Sequence, residues 1–208
     1  MAQYFSIHPT HPQQRLIMQA ANIVRDGGVI GYPTDSCYAL GCHLGDKDAA
    51  DRLRRIRDVD EKHHLTIVCS DLAQMALFAR VDNARFRFIK QLVPGGYTFI
   101  LEATKEMPRR ALHARRKTIG VRIPRHAVVL ALLEAIGEPL LSATAIIPGD
   151  SEAVSDALEL RTRLEHDLAL VLDAGPCGTV PTTVIDLTGP QAQVVRQGAG
   201  PVDSSLFF

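Results

Sequence analysis

The sequence predicts an α/β (α+β) fold built on a mixed sheet. Three observations carry this. Apolar spacings of both period two and period 3.6 occur along the chain, but they do not alternate cleanly as a doubly wound parallel sheet requires. The last third is mostly strand. No linker-like stretch and no internal repeat divides the 208 residues, a length that buries one good core, so a single domain over 1–208 is expected.

The elements follow in order. HPTHPQQRLIMQAANIVRDGG opens with turn chemistry, with Thr10 as a cap and Pro12 in the first turn. Leu16, Ile17, Ala20, Ile23 and Val24 then recur at helical spacing until Gly27 and Gly28. VIGYP is a short strand stopped by Pro33, and TDSCYALGC reads as loop and turn. Residues 46–57 form an arginine-rich helix with Ala49, Leu53 and Ile56 as its apolar stripe. LTIVCS is a strand, and DLAQMALFA and NARFRFIKQLV are helices whose Phe78, Phe86, Phe88, Ile89 and Leu92 supply core bulk. PGG at 94–96 turns the chain into the strand YTFILEA. TKEMPRRALHARRK is basic and poorly periodic, a loop or short irregular helix. TIGVRIP is a strand, HAVVLALLEAIG an apolar helix closed by Gly137, and EPLLSATAIIPGD a strand then a loop. SDALELRTRLEH is a helix capped by Ser155 or Asp156, and LALVLDAG, TTVIDLT and AQVVRQG are three late strands.

Apolar residues make up 46% and charged residues 22%, a globular composition. No stretch approaches the roughly 18 apolar residues of a membrane span, and the start lacks a secretory pattern. Four cysteines are too few for a disulfide scaffold, so a cytoplasmic protein is expected. The formal net charge of zero conceals an asymmetry. Residues 1–125 carry 20 Lys plus Arg against 12 Asp plus Glu, or +8; residues 126–208 carry 3 against 11, or −8. An anionic partner therefore stays open, unless folding interleaves the two parts into a mixed surface.

Several chemistries lack support. There is no Gly-x-Gly-x-x-Gly fingerprint, no Walker loop and no Gly-x-Ser-x-Gly elbow. Cys37 and Cys42 with His43, and the adjacent His63 and His64, lack the spacing of a zinc site, and Cys69 reads as core. Three segments do draw attention. Thr34, Asp35 and Ser36 lie just past a strand end, where α/β proteins bind small ligands and where hydroxyl turns also cap backbone. Residues 80–125 hold 12 basic against 3 acidic residues, among them Arg109, Arg110, Arg115, Arg116 and Lys117, which with Arg52, Arg54, Arg55 and Arg57 suit phosphate or a nucleic-acid backbone; the alternative is a solvated face. Arg122 sits between Val121 and Ile123 in a strand pattern, so it contacts a ligand or pairs with an acid. Thr182, Thr183 and Arg196 pose the same question.

In chain order, YPTDSCYALG (32–41), Arg55-x-Arg57, PGGYTFIL (94–101), TIGVRIP (118–124), EPLLSAT (138–144), PTTVIDL (181–187) and VVRQG (194–198) resemble the YrdC/YciO family, over about residues 12–200. HPTHPQQRL and RRKTIGVRIP are most similar to its YciO branch. The resemblance implies a twisted open mixed sheet with flanking helices around a concave, positively charged cavity. It also implies the chemistry of threonylcarbamoyl-AMP synthesis from threonine, bicarbonate and ATP with Mg²⁺, serving tRNA modification, and binding of double-stranded RNA or tRNA. Carried over residue by residue, Thr34, Arg57, Thr98 and Thr182 would hold substrate. Arg55, Arg57, Arg122, Thr144 and Arg196 would line the nucleotide and carboxylate side, with no side-chain metal ligand and no structural zinc. Arg109, Arg110, Arg115, Arg116 and Lys117 would contact RNA.

The departures from the family pattern are specific. Its Lys-x-Arg becomes Arg55-Ile56-Arg57, a planar fork in place of a compact ammonium. Its Ser-x-Asn falls at Thr144-Ala145-Ile146, which keeps a hydroxyl and loses an amide. DVDEKHHLT replaces the Arg-Pro-x-x-Lys-Pro-Leu segment. These losses weaken synthesis more than they weaken the pocket. The leading expectation is a nucleotide- and RNA-binding protein acting on threonylcarbamoyl-adenylate or a related adenylate. The alternatives are a competent synthase and an RNA-binding module without catalysis.

Overall fold

The computed structural model describes residues 1–60, 65–108, 111 and 117–202. The chain forms β1 (Gln3–Ser6), α1 (Gln14–Arg25), β2 (Ile30–Tyr32), β3 (Ala39–His43), α2 (Lys47–Arg57), β4 (Thr66–Val68), α3 (Leu72–Phe78), α4 (Asn83–Leu92) and β5 (Tyr97–Glu102). It continues with β6 (Thr118–Arg122), α5 (Ala127–Ile136), β7 (Leu140–Thr144), α6 (Ala157–Leu164), β8 (Leu170–Asp173), β9 (Thr183–Asp186) and β10 (Gln193–Arg196). The strands make one ten-stranded sheet in the order β1-β8-β2-β3-β7-β4-β6-β5-β9-β10. Parallel pairs (β1–β8, β2–β8, β4–β6, β5–β9) mix with antiparallel ones (β2–β3, β3–β7, β4–β7, β5–β6, β9–β10). This is the mixed sheet that the patterning predicts, twisted and flanked by helices as the family resemblance implies.

The basic and acidic parts of the sequence interleave in this sheet. β8 lies between β1 and β2, β7 between β3 and β4, and β9 beside β5.

Three local expectations are corrected. TDSCYALGC is not wholly loop, because Ala39–His43 is a strand paired on both sides. Its first four residues are buried, so the solvent-facing alternation that marks a half-buried strand is missing. Thr10 does not cap α1. Gln13 occupies that position without a side-chain cap bond, while the Thr10 hydroxyl engages the rings of His8 and His11. Gln3–Ser6, too short to stand out, adds an edge strand along β8. The remaining caps follow sequence logic: Asp46, Asp71, Asp82 and Asp156 each accept from the backbone N–H three residues on.

Helices lie on both faces of the sheet. On one, α1 and α5 pack Ile17, Ala20, Val24, Val128 and Leu132 against Ile30, Tyr32, Leu140, Leu170 and Leu172. On the other, α2, α3, α4 and α6 bring Leu53, Met75, Ile89 and Leu160 into a second core with Ile67, Phe99 and Val121. Ile89 is fully buried, and Phe78, Phe88 and Leu92 pack partly buried against that core. Of the six α-helices among the described residues, four thus serve one face. On the face with only α1 and α5, the helices cover the half near β1, β8, β2 and β3.

Candidate functional site

The uncovered half of that face holds a cavity of about 260 Å³. Alternation along the strands builds its floor. Thr66 and Val68 of β4, Thr98 and Ile100 of β5, Gly120 and Arg122 of β6, and Ser142 and Thr144 of β7 are i, i+2 pairs that line it. The register aligns them in rows across the sheet. Thr66 lies between Ser142 and Gly120, and Gly120 lies opposite Ile100. Val184 lies opposite both Thr98 and Arg196. Gly120 keeps the floor deep, since a Cβ there would come within 2.8 Å of Thr66 Oγ1.

At one end of the cavity Arg122 is almost entirely buried, at 7% exposure. Its Nη2 donates to Asp35 Oδ1 at 2.5 Å, Ser36 Oγ at 3.0 Å and Thr34 Oγ1 at 3.2 Å. Asp35 is open to solvent through its backbone, but its side chain is only 14% exposed, so this is a largely desolvated ion pair. The Thr34 hydroxyl also donates to the Cys37 carbonyl at 2.6 Å and accepts from the backbone N–H groups of Ser36 and Cys37. The turn reading and the site reading of these residues therefore meet in one structure, a hydroxyl turn that cradles a guanidinium. Arg122 Nε is buried without a hydrogen-bond partner. Cys37 lines the cavity nearby, and burial pushes its thiol pKa up, so it is not a nucleophile in waiting.

At the other end, Arg196 enters from edge strand β10. The β9–β10 register shifts between Val194 and Arg196, so Val195 is an extra residue and both Val195 and Arg196 line the cavity. Arg196 donates from Nε and Nη2 to the Thr182 carbonyl, at 3.3 and 2.9 Å. Among the described residues no carboxylate pairs with it, and burial lowers its pKa below the usual arginine value. The following turn is tight. Ala199 N–H donates to the Pro181 carbonyl, and a Cβ on Gly198 would lie 2.1 Å from that same oxygen. Thr182 and Thr98 share a hydroxyl–hydroxyl bond of 2.7 Å along the wall.

The cavity thus brings together Thr98, Arg122, Thr144, Thr182 and Arg196, while Thr34 stands behind Arg122. Arg55 and Arg57 end α2, Arg55 exposed and Arg57 half-buried with an unpartnered Nε, and neither is among the described lining residues. Ile146 is not among them either. Arg109, Arg110, Arg115 and Arg116, like His63 and His64, lie outside the described residues; Lys117 is exposed with a positive φ of 52°. Sequence reasoning quoted Gly120, Ser142, Val184 and Val195 only as parts of motifs and left Thr66 out of them. The signal available was a hydroxyl or glycine set into otherwise apolar buried strands, as at Thr66, Thr98, Gly120 and Ser142.

Chemically, the lining offers two guanidiniums, a row of hydroxyls and no carboxylate among the described residues. Nor do those residues contain a group of three or more His, Cys, Asp or Glu able to hold a metal ion. None of the described helices is long and apolar enough to cross a membrane.

Comparison with known proteins assigns the architecture. The Sua5/YciO/YrdC family model, described as telomere recombination, matches residues 22–198. YciO of Escherichia coli (strain K12) is 52% identical over 206 residues, covering 99% of this chain and 100% of its own. The chain belongs to the Sua5/YciO/YrdC family, on its YciO branch. The crystal structure of E. coli YciO superposes with a TM-score of 0.96 at 51% identity over the full length of both chains. Members of the family also include threonylcarbamoyl-AMP synthases. That of Chromobacterium violaceum is 34% identical over 182 residues, 86% of this chain and 92% of its own. The crystal structure of P. abyssi Sua5 complexed with L-threonine matches with a TM-score of 0.86 at 25% identity, over 94% of this chain and 57% of that one.

Proposed function

We propose that this protein, acting as one domain over residues 1–208, binds an adenylate of the threonylcarbamoyl-AMP class in the cavity and hydrolyses it. The observation that carries this reading is Arg196, a cavity-lining guanidinium on an exposed edge strand that donates, among the described residues, to one backbone carbonyl, on a wall where no described carboxylate answers its charge. Such a group calls for an anionic ligand. The row of threonine and serine hydroxyls suits the hydroxyl-, carbonyl- and amine-bearing remainder of an acyl-adenylate. In the hydrolysis, water adds to the mixed anhydride and the bond linking phosphate to the carbamoyl oxygen breaks. AMP and the threonine carbamate leave, and the carbamate releases threonine and carbon dioxide.

Hydrolysis is favoured over synthesis by the departures at Arg55 and Ile146, which remove a compact cation and an amide that ATP and its metal would use. The test is direct. Supplied threonylcarbamoyl-AMP should yield AMP, while threonine, bicarbonate and Mg-ATP should yield little pyrophosphate. Vigorous pyrophosphate release would establish the synthase reading instead, and failure on both counts would leave only binding.

RNA binding by residues 109–117 accompanies this reading, supported by the excess of 12 basic over 3 acidic residues in 80–125. Affinity for tRNA or duplex RNA should fall steeply with salt, and charge reversal at Arg109, Arg110, Arg115 and Arg116 should reduce it further. Unchanged affinity would remove this stretch from the site.

A further inference from the structure

His126 stands four positions after the cavity-lining Arg122 and has no role in the account above. It follows the Ile123–Arg125 connection out of β6 and takes the N-cap position of α5, with φ −148° and ψ 120°. That position favours a side chain that accepts from the free N–H groups of the first turn. His126 makes no such bond, and its Nδ1 is buried without a partner. The charged groups facing it are Asp35, from the β2–β3 connection, and Arg122, at the end of β6. They are the two halves of the ion pair at the deep end of the cavity. On its own connection, Arg125 is exposed. Burial is the main influence on the imidazole and lowers its pKa; Asp35 raises it and Arg122 lowers it.

We infer that His126 is a positioning residue for anion binding, acting through the Asp35–Arg122 pair. The inference rests on the proposed anionic ligand. While His126 is neutral, the Asp35 carboxylate is answered by Arg122 alone. Once protonated, the imidazolium is a second cation facing the same carboxylate. It competes for Asp35 and leaves more of the Arg122 charge to a ligand in the cavity that Arg122 lines. Anion binding and proton uptake by His126 then favour each other, so affinity rises as the pH falls.

Titration calorimetry of the full chain with AMP, between pH 8.0 and 5.0, tests this on wild type and His126→Gln. The phosphate of AMP titrates equally in both experiments and cancels in the comparison. Wild type should gain roughly fivefold more affinity over this range than the variant, with the two close to equal at pH 8.0. In an Asp35→Asn background the difference should shrink. His126→Asn serves as the second variant should the longer amide disturb the start of α5. Superimposable pH curves for wild type and both variants would overturn the inference and leave the ligand assignment standing. An undiminished difference in the Asp35→Asn background would overturn action through that pair. No AMP binding by wild type at any pH would overturn the ligand assignment, and this inference with it.

Discussion

The two arginines of the cavity are held in opposite ways. Arg122 lies within the sheet, at the end of β6, and one nitrogen of its guanidinium meets a carboxylate and two hydroxyls. Arg196 is carried by an edge strand whose four residues are all exposed, and it is tied to a single backbone carbonyl. The first charge is largely cancelled where it sits; the second is not. A buried, paired arginine fixes the shape of its surroundings, whereas an unpaired one at a rim stores electrostatic attraction for something that arrives later. The same residue type is thus tied into the fold at one end of the cavity and, on the proposed reading, left for recognition at the other.

Four changes break or sharpen this contrast. The largest effect is expected from Arg122→Ala, which strands the mostly buried Asp35 carboxylate and the Thr34 turn. It should cost about 3 kcal/mol of stability, measured by urea denaturation. A loss below about 1 kcal/mol would show that the pair is as loosely held as Arg196. Next is Gly198→Ala, where a Cβ would run into the Pro181 carbonyl and the Thr182 backbone. The turn must shift, at about 2 kcal/mol, and the Thr182 carbonyl that anchors Arg196 moves with it, so stability and AMP affinity should fall together. Arg196→Ala separates the two quantities. AMP affinity should drop about tenfold by calorimetry, while stability changes by less than about 1 kcal/mol.

The smallest effect concerns pH. Because burial lowers the folded pKa of His126 below its unfolded value, the stability of neutral His126 is fully present above that unfolded value and is lost as the pH falls through the folded one. Wild type should therefore lose stability relative to His126→Gln as the pH drops from about 7 to about 5, followed by thermal melting across that range. A constant difference would mean that His126 does not change its charge state there.

Much of the fold is legible in the sequence because period and punctuation agree. Asp156 before ALELRTRL, Gly137 after AVVLALLEAI and the valine–isoleucine runs of β4, β6 and β9 each name their element. β3 is not legible as a strand. Its Ala-Leu-Gly-Cys core is buried without alternation, and its small residues carry little strand preference. The cavity is legible as a set of residues and not as a place. Arg122, Thr182 and Arg196 stand out one by one, and Thr98 and Thr144 through the family resemblance, but only the order β7-β4-β6-β5-β9-β10 makes them neighbours. No local pattern encodes that order. His126 escapes notice because its meaning depends on Asp35, 91 positions earlier in the chain. The Asp35–Arg122 bond, in contrast, is half-visible: an arginine between two apolar strand residues requires a partner, though the sequence does not say which.

The sheet order also sets when the site comes into being. β1 and β2 both lean on β8, which is made some 140 residues after β2, and β10, carrying Arg196, is the last of the described strands. During translation the early strands wait with unpaired edges until the late ones emerge. Pairing over such separations is slow compared with local helix formation. A chain still on the ribosome at residue 160 has the buried guanidinium in sequence but no β8 to close the sheet and no Arg196 to draw an anion. On the proposed reading, ligand capture waits for β10, and a bound anion would help to hold that strand in place.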